Sequence, residues 1–146
     1  MATPNKNLSW PVHGGNVDFW DTALNTDFTL IDQAFGGVTS LNATATGSIT
    51  LSSSQYTSLV LSISGAITSN VTYTIPAGVG GQWIAIYTEL TGSVGTVTIA
   101  SGAGGPSITL TKNTTNLIFS DGTSNGIRYS DNRATIATPV SYTHLT

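Results

Sequence analysis

The sequence predicts a mainly β protein: an antiparallel β-sandwich or jelly-roll-like domain of about eight short strands, preceded by one N-terminal amphipathic helix. Three observations carry this expectation. Apolar residues recur every three or four positions from Asn16 to Phe35 and every second position from about Thr46 onward, the periods of a helix face and of a half-buried strand. The runs with period two are short, rich in β-branched residues and divided by glycine punctuation, as in all-β sandwiches and barrels. Ser and Thr supply 42 residues and Gly 16, while only 8% are charged, well under the quarter usual in globular domains.

Residues 1–15 read as an extended arm, kept irregular by Pro11 and the pair Gly14-Gly15. The helix is expected over 16–37. Its stripe is Val17, Trp20, Leu24, Phe28, Ile31 and Phe35, at spacings that share one face. Asn16 is a candidate N-cap, Asp18 and Asp21 suit the positive end of the dipole, and Gly36-Gly37 is the stop, through glycine's access to the left-handed region. A lone helix of this length is marginal in water. The stripe must therefore pack either on its own β domain or on other copies, which makes Trp20, Leu24, Phe28, Ile31 and Phe35 a candidate oligomer interface.

The β domain is expected over 44–131. Its runs are GSITLS, SLVLSIS, NVTYTIP, GQWIAIYTEL, GTVTIAS, PSITLTK, TNLIFSD and GIRYS, broken by PAGVGG, SGAGGP and SDGTSNG. Trp83 to Tyr87 is apolar on both faces, which predicts a central strand or one covered by a neighbouring subunit.

Composition excludes several functions. There is no cysteine, so neither a disulfide framework nor a thiolate zinc site can form. Net charge is −3 with four cations, which argues against a nucleic-acid partner. No run approaches the ~18 apolar residues of a membrane span, and no signal peptide is read at Met1. No serine stands in a Gly-x-Ser-x-Gly elbow for His13 to activate. Asp18, Asp21, Asp27 and Asp32 belong to the polar side of the helix, Glu89, Asp121 and Asp131 to strand ends, so no carboxylate pair stands out. Asp121-Gly122 and Asn125-Gly126 suit a tight hairpin turn better than a calcium loop, which needs more acids. No enzyme activity, cofactor or metal is expected. Tyr56, Tyr87 and Tyr129 are candidate glycan contacts, weighed against ordinary packing roles.

The order of these features resembles tailed-bacteriophage virion proteins. SWPVHGGNVDFWDTALNTDFTLIDQAFGG is similar to their N-terminal segment, with Trp20, Asp21, Leu24, Asn25, Asp27, Phe28, Ile31 and Asp32 on the shared pattern; the β runs through IFSDGTSNGIRY resemble the module that follows. The resemblance covers most of residues 8–131. It implies a structural, homotrimeric tail-fibre or appendage component in the virion, outside the cell, partnered by other virion proteins. Adsorption to a host-surface glycan is a candidate role. The rival expectation is a monomeric carbohydrate-binding module of a secreted bacterial protein.

The end of the chain breaks from the pattern of the rest. Residues 132–139 read as a linker, and Val140–Thr146, VSYTHLT, is what GTC TCT TAT ACA CAT CTG ACG encodes, a transposon-end and adapter run used in library preparation. The tail is expected to be translated adapter from environmental sequencing, with the natural protein continuing beyond about Thr138.

Overall fold

The computed structural model describes residues 3, 5, 6, 8, 9, 20–89 and 94–130. Asn16, His13, Asp18, the 132–139 linker and the Val140–Thr146 tail lie outside them, as does the side chain of Trp20. Helix α1 (Trp20–Gly36) is followed by β1 (Val38–Asn42), β2 (Gly47–Thr50), the short helix α2 (Ser53–Tyr56), β3 (Val60–Gly65), β4 (Val71–Ile75), β5 (Gly80–Glu89), β6 (Val97–Ser101), β7 (Ile108–Leu110), β8 (Thr114–Asp121) and β9 (Arg128–Tyr129). The chain is mainly β with one N-terminal helix of length, as expected, and all eight expected runs form strands.

The pairing departs from the antiparallel expectation. The sheets are mixed, in the orders β1-β3-β5-β8-β9 and β2-β4-β6-β7. From β1 to β6 the chain alternates between the two, and each strand lies parallel to the one two places earlier. Val38 pairs with Val60 and Val60 with Ile84, Gly47 with Val71 and Val71 with Val97, which are steps of 22, 24, 24 and 26 residues. Three parallel coils result. Only then does the chain reverse, with β7 antiparallel to β6, β8 to β5 and β9 to β8. The cause of the difference is physical: period-two alternation specifies which face of a strand is buried, and is silent on its neighbour and direction.

One hydrophobic cluster draws its residues from both sheets. Leu41, Ile63 and Tyr87 stack in register on one side, and Tyr73, Ile99 and Ile108 on the other. Tyr73 spans the layers, its hydroxyl donating to the Asn42 carbonyl at 2.6 Å; burial raises its pKa. β5 is the central strand of the larger sheet, with Trp83, Ala85 and Tyr87 buried inward.

Two elements carry weak sequence signals. β1 buries only Leu41, so it has no alternation to detect. α2 is marked by Ser52-x-x-Gln55, where the Gln55 side chain accepts from the Ser52 N–H at 2.9 Å, half of a capping box. The stop of α1 also differs from expectation. Neither Gly36 nor Gly37 takes a positive φ. Gly37 is needed because a Cβ there would lie 2.6 Å from the Gln33 carbonyl oxygen, to which the Gly37 N–H donates.

Candidate functional site: an unpartnered helix stripe

α1 is tied to the β domain at its C-terminal end. The Gln33 carbonyl accepts from Leu59 N–H at 3.1 Å, and the Gly37 carbonyl from Val60 N–H at 3.0 Å. Farther back the helix is held by the N-terminal arm. Ser9 donates to the Asp27 carboxylate twice, from its N–H at 2.6 Å and its hydroxyl at 2.9 Å. The arm itself is anchored on the domain: Asn5 accepts from Gly80 N–H at 2.7 Å, and the Lys6 ammonium sits 5.9 Å from the Trp83 ring centroid. A cation over a tryptophan face is attracted by the ring quadrupole, while partial burial lowers the Lys6 pKa.

These ties fix the rotation of the helix. Ala23, Asp27, Leu30 and Ala34 are half-buried, a stripe at i, i+4, i+7 and i+11 that faces the arm and domain. The strongly apolar stripe is offset by one position, about 100° around the axis, and it faces solvent. Leu24 is 41% exposed, Phe28 58%, Ile31 39% and Phe35 80%. The stripe's own β domain leaves much of it uncovered, Phe28 and Phe35 above all. A groove of about 410 Å³ runs beside it, lined by Lys6, Leu8, Ile31, Ala34, Phe35, Leu59 and Gln82.

The three candidate glycan-contact tyrosines are not brought together. Tyr87 is 1% exposed, a correction to its candidacy: its inward position on the central strand presents no ring face to a sugar. Tyr56 is half-buried against the core, and its carbonyl accepts from the Trp83 indole N–H at 2.8 Å. Tyr129 is 45% exposed on β9. The Tyr87 hydroxyl is buried without a hydrogen-bond partner, and desolvation, then the nearby Glu89 charge, raise its pKa against the opposing effect of Lys112. An orphaned hydroxyl costs about 1–3 kcal/mol. Tyr87→Phe is therefore expected to keep or raise stability by about 1 kcal/mol in urea unfolding, whereas a loss of that size would reveal a partner for the hydroxyl.

The polar groups with conceivable chemistry are engaged structurally. Glu89 pairs with Lys112 at 2.6 Å. The Asp121 carboxylate accepts from Asn125 Nδ2 at 2.6 Å and from the Thr123 hydroxyl and N–H at 2.7 and 2.9 Å. Those bonds, the Asn125 one first, hold its pKa down to about 2. Gly122 and Gly126 both take positive φ, so SDGTSNG is the β8–β9 turn. Among the described residues no group of three His, Asp or Glu is placed to hold a metal ion, and no helix is long and apolar enough to cross a membrane.

Comparison of the chain with protein-family models, with curated proteins and with solved structures finds no match.

Proposed function

We propose that the chain is a non-enzymatic structural component of a tailed-phage virion, a tail-fibre or appendage module that assembles as a homotrimer through α1. The observation that carries this reading is the stripe Leu24, Phe28, Ile31 and Phe35, held in solvent by a helix whose other side is already occupied. Apolar stripes on soluble helices need a partner. The resemblance of the segment around Trp20–Asp32 to phage appendage proteins supplies the stoichiometry and the setting. In that setting the module works outside the cell beside other virion proteins. Weak contacts to a host-surface glycan would gain strength from several copies acting together.

A monomeric carbohydrate module receives no comparable support. Its aromatic platform would have to be made from tyrosines that are buried, half-buried and exposed at separate places.

The test is the solution mass of the full chain by light scattering, alongside Phe28→Asp with Ile31→Asp. Both sites are exposed, so the fold should tolerate the changes. A wild-type mass three times that of the chain, falling to the monomer mass in the double variant, is the expected result. A wild-type monomer at every accessible concentration would sink the reading.

A further inference from the structure

We propose that the outer face of the five-stranded sheet, at the end nearest α1, packs against a second copy of this chain as a continuation of the helix interface. The inference rests on the oligomeric reading above and extends it to residues that no motif marks. Val38, Val60, Ile84 and Leu117 stand opposite one another on four neighbouring strands, so they form one apolar row across the sheet. They alternate with the buried residues Leu61, Trp83, Ala85 and Ile118 and therefore lie on the opposite face. Phe119 stands beside this row, opposite Gln82. Val38 is 62% exposed, Leu117 40% and Phe119 44%.

Three further observations select a second copy as the occupant. First, the row is continuous with the helix stripe. The chain passes from Phe35 to Val38 across two glycines, and the groove beside α1 is walled by Ile31 and Phe35 on one side and by Leu59 and Gln82 on the other. Second, the area is right. Taking about 150–200 Å² for each fully exposed side chain, the stripe with Val38, Leu117 and Phe119 exposes roughly 650 Å². Summed over these residues, that lies at the top of the ~300–600 Å² of the largest apolar patch on an ordinary monomer and approaches the ~800 Å² each partner gives to a standard interface. Third, the row holds no charge, so identical surfaces can meet without burying like charges; Arg128, opposite Phe119, is left to the rim.

Polarity falls away as an interface edge should. Two residues farther along the strands the row is Ser40, Ser62, Ile86 and Thr115. The outer face of the other sheet is a hydroxyl ladder, Ser48, Thr72, Thr98 and Thr109, suited to water. The two outer faces of one domain thus differ in chemistry, and the apolar one adjoins the helix stripe.

The experiment uses the full chain as Leu117→Asp with Phe119→Asp, its oligomer dissociation followed by light scattering across a dilution series. The variant is expected to dissociate at a concentration at least tenfold higher than wild type. Because the chain contains no cysteine, Leu117→Cys can also be probed with a maleimide, against Ser64→Cys, an exposed site on the same sheet. Leu117→Cys should be protected in the oligomer and Ser64→Cys labelled freely. This pair decides the matter if the aspartates impair folding by circular dichroism. An oligomer with unchanged dissociation, or with both cysteines labelled equally fast, overturns the sheet face and leaves the helix reading standing. A sheet-face effect without any effect of Phe28→Asp and Ile31→Asp upholds the face and removes the helix. A wild-type monomer ends both.

Discussion

Replacing Trp83 by alanine is expected to lower stability by about 4 kcal/mol, the upper range for emptying a core site of this size. Trp83 is fully buried on the central strand, opposite Ile118. Its ring is packed closely enough that a Cβ on Gly81 would lie 3.1 Å from it. Its indole N–H joins β5 to α2 through the Tyr56 carbonyl, and Lys6 of the arm lies over its face. Truncation therefore opens a cavity, strips a hydrogen bond from a part-buried carbonyl and releases the arm's cation. Domains of this kind have about 5–15 kcal/mol in total, so the loss takes a large part of it. Trp83→Phe should keep most of the packing and lose the hydrogen bond, at about 1–2 kcal/mol. Urea unfolding in the Phe28→Asp, Ile31→Asp background measures both without linkage to assembly. Equal losses for Phe and Ala would mean that the hydrogen bond, and not packing, governs the site.

The second large effect belongs to Gly126→Ala, expected to cost about 3 kcal/mol. Gly126 has φ +72°, and a Cβ there would lie 2.3 Å from the Pro106 carbonyl oxygen and 2.5 Å from the Pro106 nitrogen. The opposing glycine is as constrained: Gly105 has φ +83°, and its Cβ would fall 2.2 Å from the Ser124 carbonyl oxygen. The loops after β6 and β8 thus meet backbone to backbone, joined by Ile127 N–H donating to the Pro106 carbonyl at 2.8 Å. Alanine would add left-handed strain of about 1–2 kcal/mol and overpacking of about 1–3 kcal/mol. Gly104→Ala is the control, since φ is +91° but nothing lies within 4 Å; it should show the strain alone. Matching melting temperatures for the two variants would remove the steric argument.

Much of this architecture was legible in the sequence because burial leaves a period behind. The runs from β2 to β9 and the helix, expected over 16–37 and described from Trp20, follow from apolar spacing, and the central place of Trp83–Tyr87 is one of the two readings that spacing allowed. Strand direction does not, and the coil repeat was hidden because its step drifts from 22 to 26 residues with little identity between turns. At the candidate site, the stripe residues were readable but their exposure was not. That depends on Asp27 being taken by Ser9 and Gln33 by Leu59, tertiary contacts that set the rotation of the helix. Tyr87 misled for a related reason: tyrosine suits a half-exposed strand, and only the strand's central place buries it fully.

The alternation of strands between two sheets also sets how such a module can gain reach. Each added coil consumes 22 to 26 residues and advances the stack by one strand spacing, about 4.8 Å, or near 0.2 Å per residue. The 17 residues of α1 extend about 25 Å, several times more distance per residue. A protein built from these two parts draws its span from helices and its girth from coils. Lengthening it at the coils would consume several times more chain for each ångström of reach than lengthening it at the helix.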